Sequence, residues 1–491
     1  MSNARTEKII NTILAGGIAL CVAGIGYLVY RNFSAPEGSG ERFVLCAVLG
    51  ILALLMLSGL WMRTDHKINV LLVVGASVIA LYIVELVVLI VATTVPIDWV
   101  YIPGYQGYQE MMRRAELAKK AGVRFDQRTR IDVIRDLEAT GASAVPAIPP
   151  SIVLQPAAGD ALKSPLILDG REFVPLGGIA ERITVFCNEN GEYTVYKSDE
   201  HGFHNPEGRW SQGKIDVALL GDSFTAGACV PTDKSFAALI GEKYPATLNL
   251  GADNEGPLME LAALREYLVD LRPRTILWFY FEGNDLENLD WEWKSSLLRN
   301  YLKPEFRQGL ATRQHEIDRE LLSYVEEVRG TSRWMQRLQQ GGDVIRLKHL
   351  RALMASALQN HQRDERELPV RNLSRFRAVL EQAAASVRSW GGTLVFVYLP
   401  ERKRYAHPDL ARSDRGAVLS TVQELGIRVV DMDRVFKREA NPLDLFPFGQ
   451  SGHYNVRGHQ LVANEIANSI TIGDSRNSGI GHIGAIHPTQ H

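Results

Sequence analysis

The hydrophobic pattern divides the chain into an apolar N-terminal part and a longer part of mixed character. Three long apolar runs occupy residues 9–30, 43–62 and 70–97. Each is long enough to cross a membrane as a helix, which takes roughly 20 apolar residues. The first run is longer than the apolar region of a cleavable signal peptide, about 7–15 residues, so we interpret it as a retained anchor. The pattern predicts a three-helix membrane anchor over residues 1–97.

The charged residues beside these runs predict the orientation of the anchor. One side of the membrane would carry four basic residues, whereas the opposite loop carries two basic residues and two glutamates. Because cytoplasmic loops carry the excess of Lys and Arg, we expect the N-terminus inside and everything after residue 97 outside the cytoplasm. The four basic residues are Arg5, Lys8, Arg63 and Lys67, and the opposite loop holds Arg31, Glu37, Glu41 and Arg42.

One carboxyl group interrupts the third apolar run. Glu85 lies in its middle, where an ionised side chain is costly and normally faces a partner or a cavity. Two interpretations stay open. Glu85 contacts another helix or a transferred group, or it is protonated and bonded to Ser77, Thr93 or a neighbouring span.

Polar and β-type patterns follow the anchor. Residues 105–141 are charged and helical, and a Pro- and Ala-rich loop covers 142–158. Alternating residues then predict strands near 182–186 and 192–196, joined by a turn at 188–191. We divide this region into a juxtamembrane helical stalk and linker (98–165) and a small β segment (166–213). The Gly-, Ser- and His-rich tail, 473–491, is predicted to be disordered.

Beyond residue 213, short apolar runs alternate with amphipathic helices, which is typical of βαβ units and a parallel sheet. The helix after the second strand begins at Pro257 and places Leu261, Leu264, Leu268 and Leu271 on one face. A helical insertion at about 291–358, which contains Trp291, Trp293 and Trp334, is either a packed cap or a lid over the site. The five predicted strands are 215–220, 247–250, 275–281, 393–399 and 427–432.

The amino-acid composition argues against two classes of protein, those that bind nucleic acid and those that hold a structural metal. The 491 residues include 54 Lys+Arg and 56 Asp+Glu, a net charge of −2, which argues against nucleic acid as a partner. The four cysteines lack zinc-type spacing, so we expect no structural metal. Cys187 and Cys229 are the two cysteines outside the apolar runs. They either form a disulfide between the β segment and the loop after the first strand of the sheet or remain buried free thiols.

Residues suited to acyl chemistry follow the predicted strands. Active residues of open parallel sheets gather beyond the carboxyl ends of the strands, and here Ser223, Gly251 and Asn284 follow the first three. His453 precedes the C-terminal helix. Ser223 would be the nucleophile and His453 its base, with the Ser223 and Gly251 N–H groups and the Asn284 amide as oxyanion donors. A side chain at Gly251 would obstruct the tetrahedral adduct.

These blocks resemble those of the SGNH (GDSL-type) hydrolases, a family named for one Ser, Gly, Asn and His in separate blocks. The resemblance covers about residues 214–470. It implies a flavodoxin-like α/β/α domain, here 214–472, that cleaves or transfers acyl esters without a cofactor. The matching residues are Gly221-Asp222-Ser223, Gly251, Gly283-Asn284-Asp285 and His453.

One position departs from the family pattern. An Asp usually stands three residues before the catalytic histidine, and here Gln450 occupies that position. We predict that the Gln450 side chain or a nearby backbone carbonyl orients His453 in a Ser–His dyad with modest turnover. Asp444 is the rival acid, although its spacing does not fit the usual motif.

Three other histidines have structural interpretations. His459 lies at the start of the C-terminal helix and is predicted to pack there, which favours His453 as the base. The spacing of His201 and His204 would permit a metal pair, but their surroundings indicate a polar loop next to the site.

The leading hypothesis is therefore a membrane-anchored serine esterase or O-acyltransferase acting on acyl esters of envelope glycans or lipids. The resemblance to bacterial SGNH proteins places it in the inner membrane, multi-pass, with its catalytic domain periplasmic or extracellular. Transfer would require a membrane partner that supplies the acyl donor. The alternative is a non-catalytic SGNH-like scaffold or glycan-binding module, which the glutamine at position 450 favours.

Overall fold

The computed structural model describes residues 2–34, 39–94, 106–157, 160–211, 213–330, 367–408, 414–450 and 452–470. The N-terminal part forms three helices, α1 (Ser2–Ser34), α2 (Ser39–Leu60) and α3 (Thr64–Thr94). Within the described residues, Arg5–Tyr27 and His66–Val87 are long and apolar enough to cross a membrane. The middle helix contributes a shorter apolar run, Leu49–Leu60. Two of the three predicted spans thus meet the length criterion.

Polar contacts join the starts of α1 and α3. Lys67 Nζ donates to Glu7 Oε1 and to Asn11 Oδ1, both at 2.9 Å. The N-terminal ends of the two helices therefore lie side by side, as they must in a chain that reverses direction twice. Glu85 is fully buried in α3, in agreement with a carboxyl group that does not face lipid.

Two helices and a small sheet follow. The helices are α4 (Gln106–Lys120) and α5 (Arg130–Ala139), the latter capped by Thr129 in a reciprocal pair with Asp132. The strands are β1 (Ala144–Pro146), β2 (Gln155–Pro156), β3 (Leu162–Lys163), β4 (Ile167–Leu168), β5 (Arg171–Glu172), β6 (Ile183–Val185) and β7 (Val195–Lys197).

Strands β1, β6 and β7 form one three-stranded sheet. β6 and β7 are antiparallel, with Thr184 opposite Tyr196, and enclose the predicted turn at 188–191. β1, from a segment that the sequence assigned to a loop, pairs parallel to β6. The pairs β2–β3 and β4–β5 are separate antiparallel ribbons.

The central sheet has five parallel strands in the order β12-β11-β10-β8-β9. Every predicted strand is present, with boundaries within two residues of those expected. A continuous apolar run in the sequence is typical of a strand that is covered on both faces. The strands are β8 (Val217–Leu220), β9 (Thr247–Asn249), β10 (Thr275–Phe281), β11 (Thr393–Leu399) and β12 (Arg428–Asp431).

The order of the strands defines a crevice. The chain passes from β8 to β9 on one side and then crosses to β10 on the other side of β8. The connections at the carboxyl ends of β8 and β10 therefore diverge, and ligands of open α/β sheets bind at such switch points. Ser223 and Asn284 follow these two strands directly.

Helices cover both faces of the sheet. One face packs against α8 (extended by a π turn, Leu264–Leu268), α12 and α14, and the other packs against α7, α15 and α16. The helices are α6 (Ser223–Ala226), α7 (Phe236–Lys243), α8 (Pro257–Ala263), α9 (Asp285–Glu292), α10 (Ser296–Arg299), α11 (Gln314–Gly330), α12 (Glu367–Ser389), α13 (Lys403–Ala406), α14 (Arg415–Glu424), α15 (Met432–Phe436) and α16 (Val456–Ser469).

The described part of the insertion packs as a cap. Leu298, Tyr301, Leu310 and Leu321 are buried in the same core cluster as α8 and α12, and Trp293 lies under the Arg375 guanidinium. Residues 331–366, which include Trp334, and the tail 473–491 lie outside the described residues, as do residues 95–105.

Candidate active site

A sharp turn at the end of β8 presents Ser223. Gly221 has φ of +153°, and a Cβ there would lie 2.3 Å from Thr225 Oγ1, so only glycine fits. The Asp222 side chain then caps α6 by accepting the Phe224 N–H at 3.0 Å. Ser223 is thus the first residue of a helix, where its own N–H has no intrahelical acceptor.

His453 meets Ser223 from a loop near the C-terminus. Its Nε2 lies 2.8 Å from Ser223 Oγ, which is hydrogen-bond distance. The loop ends at Asn455, whose side chain accepts the Arg457 and Gly458 N–H groups and so starts α16. The Phe224 ring packs on the imidazole with 4.8 Å between centroids. The structure therefore brings together the predicted nucleophile and base.

The group beside the other imidazole nitrogen is Glu189. Its Oε2 lies 3.3 Å from His453 Nδ1 and accepts the backbone N–H of His453 at 2.7 Å. Glu189 belongs to the turn between β6 and β7, outside the five-stranded sheet. The family pattern predicts the acid just before the histidine and therefore does not point to Glu189.

Hydrogen bonds from the residues before and after Glu189 hold its turn in place. Asn188 Oδ1 accepts the Gly191 N–H at 2.9 Å, and Asn188 Nδ2 donates to the Asp126 carbonyl at 2.9 Å. On the other side, Asn190 Nδ2 donates to the Cys229 carbonyl at 2.8 Å.

A disulfide joins Cys187 to Cys229, which confirms the bridged alternative. It connects the β segment to the loop after α6, and Cys229 Sγ lies 3.7 Å from His453 Nδ1. The bridge therefore fixes the start of the Glu189 turn next to the imidazole.

Glu189 and His453 each stabilise the charged form of the other. Burial would raise the pKa of Glu189, but the charge and hydrogen bonds of His453, together with Arg114, lower it to about 2. Burial would also lower the pKa of His453, but the Glu189 carboxylate, with Asp222 and Asp253, raises it above the usual value. Glu189 is thus ionised at neutral pH, where it favours the imidazolium form of His453.

The two sequence candidates for the acid lie elsewhere. The Gln450 side chain donates to the Phe448 carbonyl at 3.4 Å, within its own turn. Asp444 Oδ1 accepts from Asn441 Nδ2 at 2.8 Å. We therefore correct the prediction that Gln450 or a nearby carbonyl orients His453, because Nδ1 faces a carboxylate. The arrangement is a Ser–His–Glu chain rather than a dyad.

Gly251 has a different function from the one expected. Its N–H donates to Asn249 Oδ1 at 2.9 Å, so the structure assigns this donor to the turn after β9. A Cβ at this position would lie 2.5 Å from the Ala226 nitrogen and 2.6 Å from the Thr225 carbonyl carbon. Glycine is required here because the turn passes directly against α6, rather than because an adduct must approach.

Asn284 lies where an oxyanion donor is expected. It precedes α9 at the carboxyl end of β10, next to β8. Burial raises the pKa of Asp222 to about 6, and the Phe224 N–H, the charge of His453 and, least of the three, the nearby Asn284 side chain oppose this shift. The Asn284 amide therefore lies beside the residue that precedes Ser223.

The remaining histidines have structural contacts. His459 is buried, and its Nδ1 accepts the Phe236 N–H at 3.0 Å, as its predicted packing requires. His204 stacks on Tyr196 with Nδ1 2.8 Å from the Ala226 carbonyl oxygen, whereas His201 packs edge-on against Trp210. Among the described residues, the one group with metal-ligand spacing is Glu189, Cys229 and His453. The Cys229 sulfur of that group is held in the disulfide.

A comparison with protein-family models gave no match, and a comparison with curated proteins gave none either. Solved structures do match. A lipolytic protein of the G-D-S-L family from Desulfitobacterium hafniense DCB-2 is 14% identical, with 52% of this chain and 100% of that chain covered and a TM-score of 0.30. A lipase/acylhydrolase from Enterococcus faecalis is 11% identical (53% and 99% covered, TM-score 0.28). An acetyl xylan esterase is 9% identical (52% and 100% covered, TM-score 0.31).

The protein from Desulfitobacterium hafniense is named for the G-D-S-L family, which the sequence blocks of this chain resemble. With TM-scores near 0.3, these structures give no evidence about the activity of this chain. The case for function therefore depends on the hydrogen-bonded side chains at the end of the parallel sheet.

Proposed function

We propose that this chain is a membrane-anchored serine ester hydrolase or O-acyltransferase that works through an acyl-enzyme on Ser223. One observation carries the proposal: Ser223 Oγ, the His453 imidazole and the Glu189 carboxylate form one chain of contacts at 2.8 Å and 3.3 Å. A serine becomes a nucleophile when a base and an orienting group are aligned in this way.

Acylation begins when Ser223 Oγ attacks the ester carbonyl carbon and His453 Nε2 takes the hydroxyl proton. The Glu189 carboxylate stabilises the imidazolium that forms. The carbonyl oxygen becomes an oxyanion, and the Ser223 N–H and the Asn284 amide are its proposed donors. Collapse of the tetrahedral intermediate expels the alcohol, which receives the proton from His453 and leaves the acyl group on Ser223.

Deacylation repeats these steps with a different nucleophile. His453 removes a proton from water or from an acceptor hydroxyl, which attacks the acyl carbon and releases Ser223. Water gives hydrolysis, and a sugar hydroxyl gives transfer. Transfer would need a membrane partner that delivers the acyl donor, because the two helices of the described residues that are long enough to span a membrane are too few for a multi-pass transporter.

The proposed location is the outer side of the bacterial inner membrane, with a cytoplasmic N-terminus and three crossings. The apolar helices at the N-terminus and the charge bias beside them support this topology. The disulfide supports an oxidising compartment. Acyl esters of envelope glycans or lipids are the substrates that an enzyme held at this surface would meet.

The alternative hypothesis, a non-catalytic scaffold, has less support than the catalytic one. That alternative was motivated by Gln450 at the position of the usual Asp, but Glu189 supplies a carboxylate from another element. The contacts at Ser223 therefore include a nucleophile, a base and a carboxylate, which support a catalytic function.

The test uses the full-length chain, purified in detergent, with p-nitrophenyl acetate. Ser223→Ala should reduce turnover by about 10⁴-fold or more without lowering the melting temperature. Ser420→Ala, which removes an exposed hydroxyl on α14, is the matched control and should keep full turnover. Activity of Ser223→Ala within about tenfold of the unmodified chain would overturn the proposal.

A further inference from the structure

Helix α4 buries one arginine against the turn that carries Glu189. Arg114 exposes only 6% of its surface, whereas Arg113 and Lys119 on the same helix are exposed. Its Nη1 lies 3.3 Å from Glu189 Oε2. The same oxygen accepts the backbone N–H of His453, so the cation and the catalytic loop both lie against one carboxylate oxygen.

The guanidinium also lies against the loop of the histidine. A Cβ built on Gly452 would be 2.9 Å from Arg114 Nη2 and 2.4 Å from Glu189 Oε2. The residue before His453 thus has no side chain where the ion pair passes its backbone.

The segment after α4 reinforces this contact. The Asp126 N–H donates to the Gly191 carbonyl at 2.7 Å, in the Glu189 turn. Phe125 packs on Phe448, upstream of His453, with 6.5 Å between ring centroids. The region that the sequence assigned to a stalk therefore contacts the loops of two triad residues at once.

We propose that Arg114 is a positioning residue that holds Glu189 Oε2 at His453 Nδ1 and so makes the juxtamembrane helix part of the active site. This inference rests on the proposed function. A buried arginine and a carboxylate keep each other in place, because separating them leaves a desolvated charge without its partner. Arg114 touches Glu189 and not the proposed nucleophile, so it acts through the carboxylate.

Removing Arg114 changes the pKa of His453 in one of two directions, and the direction depends on whether Glu189 stays at Nδ1. The charges that act on the imidazole are those of Glu189, Asp222, Asp253 and His459, and those that act on the Glu189 carboxylate are His453 and Arg114. If Glu189 leaves Nδ1, the imidazolium loses its closest anion and the pKa of His453 falls. If Glu189 stays in place, loss of a nearby cation raises that pKa instead.

The experiment measures kcat and KM for p-nitrophenyl acetate against pH on the full-length chain. For Arg114→Ala we expect a loss in kcat of about 10- to 100-fold, since misplacing a catalytic group by about 1 Å costs this much. KM should stay within about twofold, and the acid limb of the pH profile should move to lower pH. Arg114→Lys should show a smaller change in the same direction, which keeps the test valid if the alanine variant does not fold.

Two controls make the result specific. Lys119→Ala removes an exposed charge from the same helix and should leave both constants unchanged. In a Glu189→Gln background, Arg114→Ala should cause no further loss, because a residue that acts through Glu189 has nothing left to position.

Three results would overturn the inference. They are an Arg114→Ala variant that matches Lys119→Ala, an equal loss in the Glu189→Gln background, and an acid limb that moves to higher pH with kcat retained. If Ser223→Ala also keeps its activity, the proposed function fails. If Ser223→Ala is inactive while Arg114→Ala is silent, only the role of Arg114 is wrong.

Discussion

The Glu189 carboxylate lies 3.3 Å from Nδ1 of His453, although 264 residues separate the two in the sequence. One residue comes from a small hairpin before the parallel sheet and the other from the loop before its last helix. The proposed triad is therefore assembled from two parts of the fold, and the contacts that join these parts determine its geometry.

Glu189→Gln tests the assignment of the acid. The amide cannot stabilise the imidazolium with a full charge, so we expect kcat to fall by up to about 10⁴-fold. Gln450→Ala and Asp444→Asn change the predicted orienting residue and the rival acid, and each should cost less than about tenfold. Steady-state kinetics on the three variants decide the matter. A larger loss in either control than in Glu189→Gln would show that the acid is misplaced.

The pH dependence follows from the raised pKa of His453. Catalysis requires the neutral imidazole, so activity should fall as pH drops through a pKa above the usual 6.5. The stabilisation that the imidazolium contributes to the fold is present below 6.5 and is lost as pH rises through that pKa. In Glu189→Gln both effects should weaken, and the activity limb should move to lower pH. Activity limbs that coincide in the two proteins would contradict the pairing.

The disulfide should hold the hairpin against the loop after α6. In unfolded, unreduced protein we expect labelling of Cys21 and Cys46 only, because these are the free cysteines. The bridge closes a separation of 42 residues, and chain entropy for such a loop gives about 4 kcal/mol of stabilisation.

The double variant Cys187→Ala/Cys229→Ala should accordingly melt at a lower temperature and show reduced kcat, with Cys46→Ala as control. Labelling of Cys187 or Cys229 before reduction would refute the bridge. When the disulfide is reduced for an activity measurement, the buffer contains EDTA. The freed Cys229 thiol, Glu189 and His453 have metal-ligand spacing, and a bound metal ion would lower activity for a reason unrelated to the bridge.

Gly452 is the residue where a single methyl group should break the site. Its φ is +145°, and an alanine Cβ would collide with Glu189 Oε2 and Arg114 Nη2. We expect Gly452→Ala to lower kcat by about 10²-fold through displacement of Glu189.

Gly449→Ala is the matched control. Gly449 also has a left-handed backbone, but its Cβ would meet nothing nearer than the Leu443 carbonyl at 4.0 Å. Melting temperatures report the backbone strain at each position, which differs because φ is +145° at Gly452 and +68° at Gly449, and kcat reports the collision. Equal kcat values in the two variants would show that Gly452 serves the backbone alone.

Much of the sheet domain follows from sequence pattern. β10 and β11 have the predicted boundaries because six apolar or aromatic residues follow the initial Thr of each strand. Such runs, covered on both faces, leave little choice of register. Local pattern predicts Ser223, Asn284 and His453 as site residues, because each lies beside a strand end or a helix start, and the structure brings Ser223 and His453 together. Gly251 was identified as indispensable, but its reason, close packing against α6, is a tertiary contact.

Glu189 could not be placed by local pattern, because its position depends on a hairpin docking against a distant loop. One indication was available. Cys187 was considered as a disulfide partner of Cys229, and the predicted turn at 188–191 contains Glu189. Combining the bridge with the turn would have put this carboxylate near the nucleophile. The family position of the acid instead directed the prediction to Gln450, whose side chain stays within its own turn.

The most direct measurement is the intact mass of the full-length chain, quenched shortly after mixing with p-nitrophenyl acetate. We predict an increase equal to one acetyl group, located on Ser223 by peptide mapping. The adduct should be absent from Ser223→Ala and should persist longer in Glu189→Gln, whose base is weakened for deacylation. Turnover without any adduct on Ser223, or the same adduct in Ser223→Ala, would contradict the acyl-enzyme mechanism.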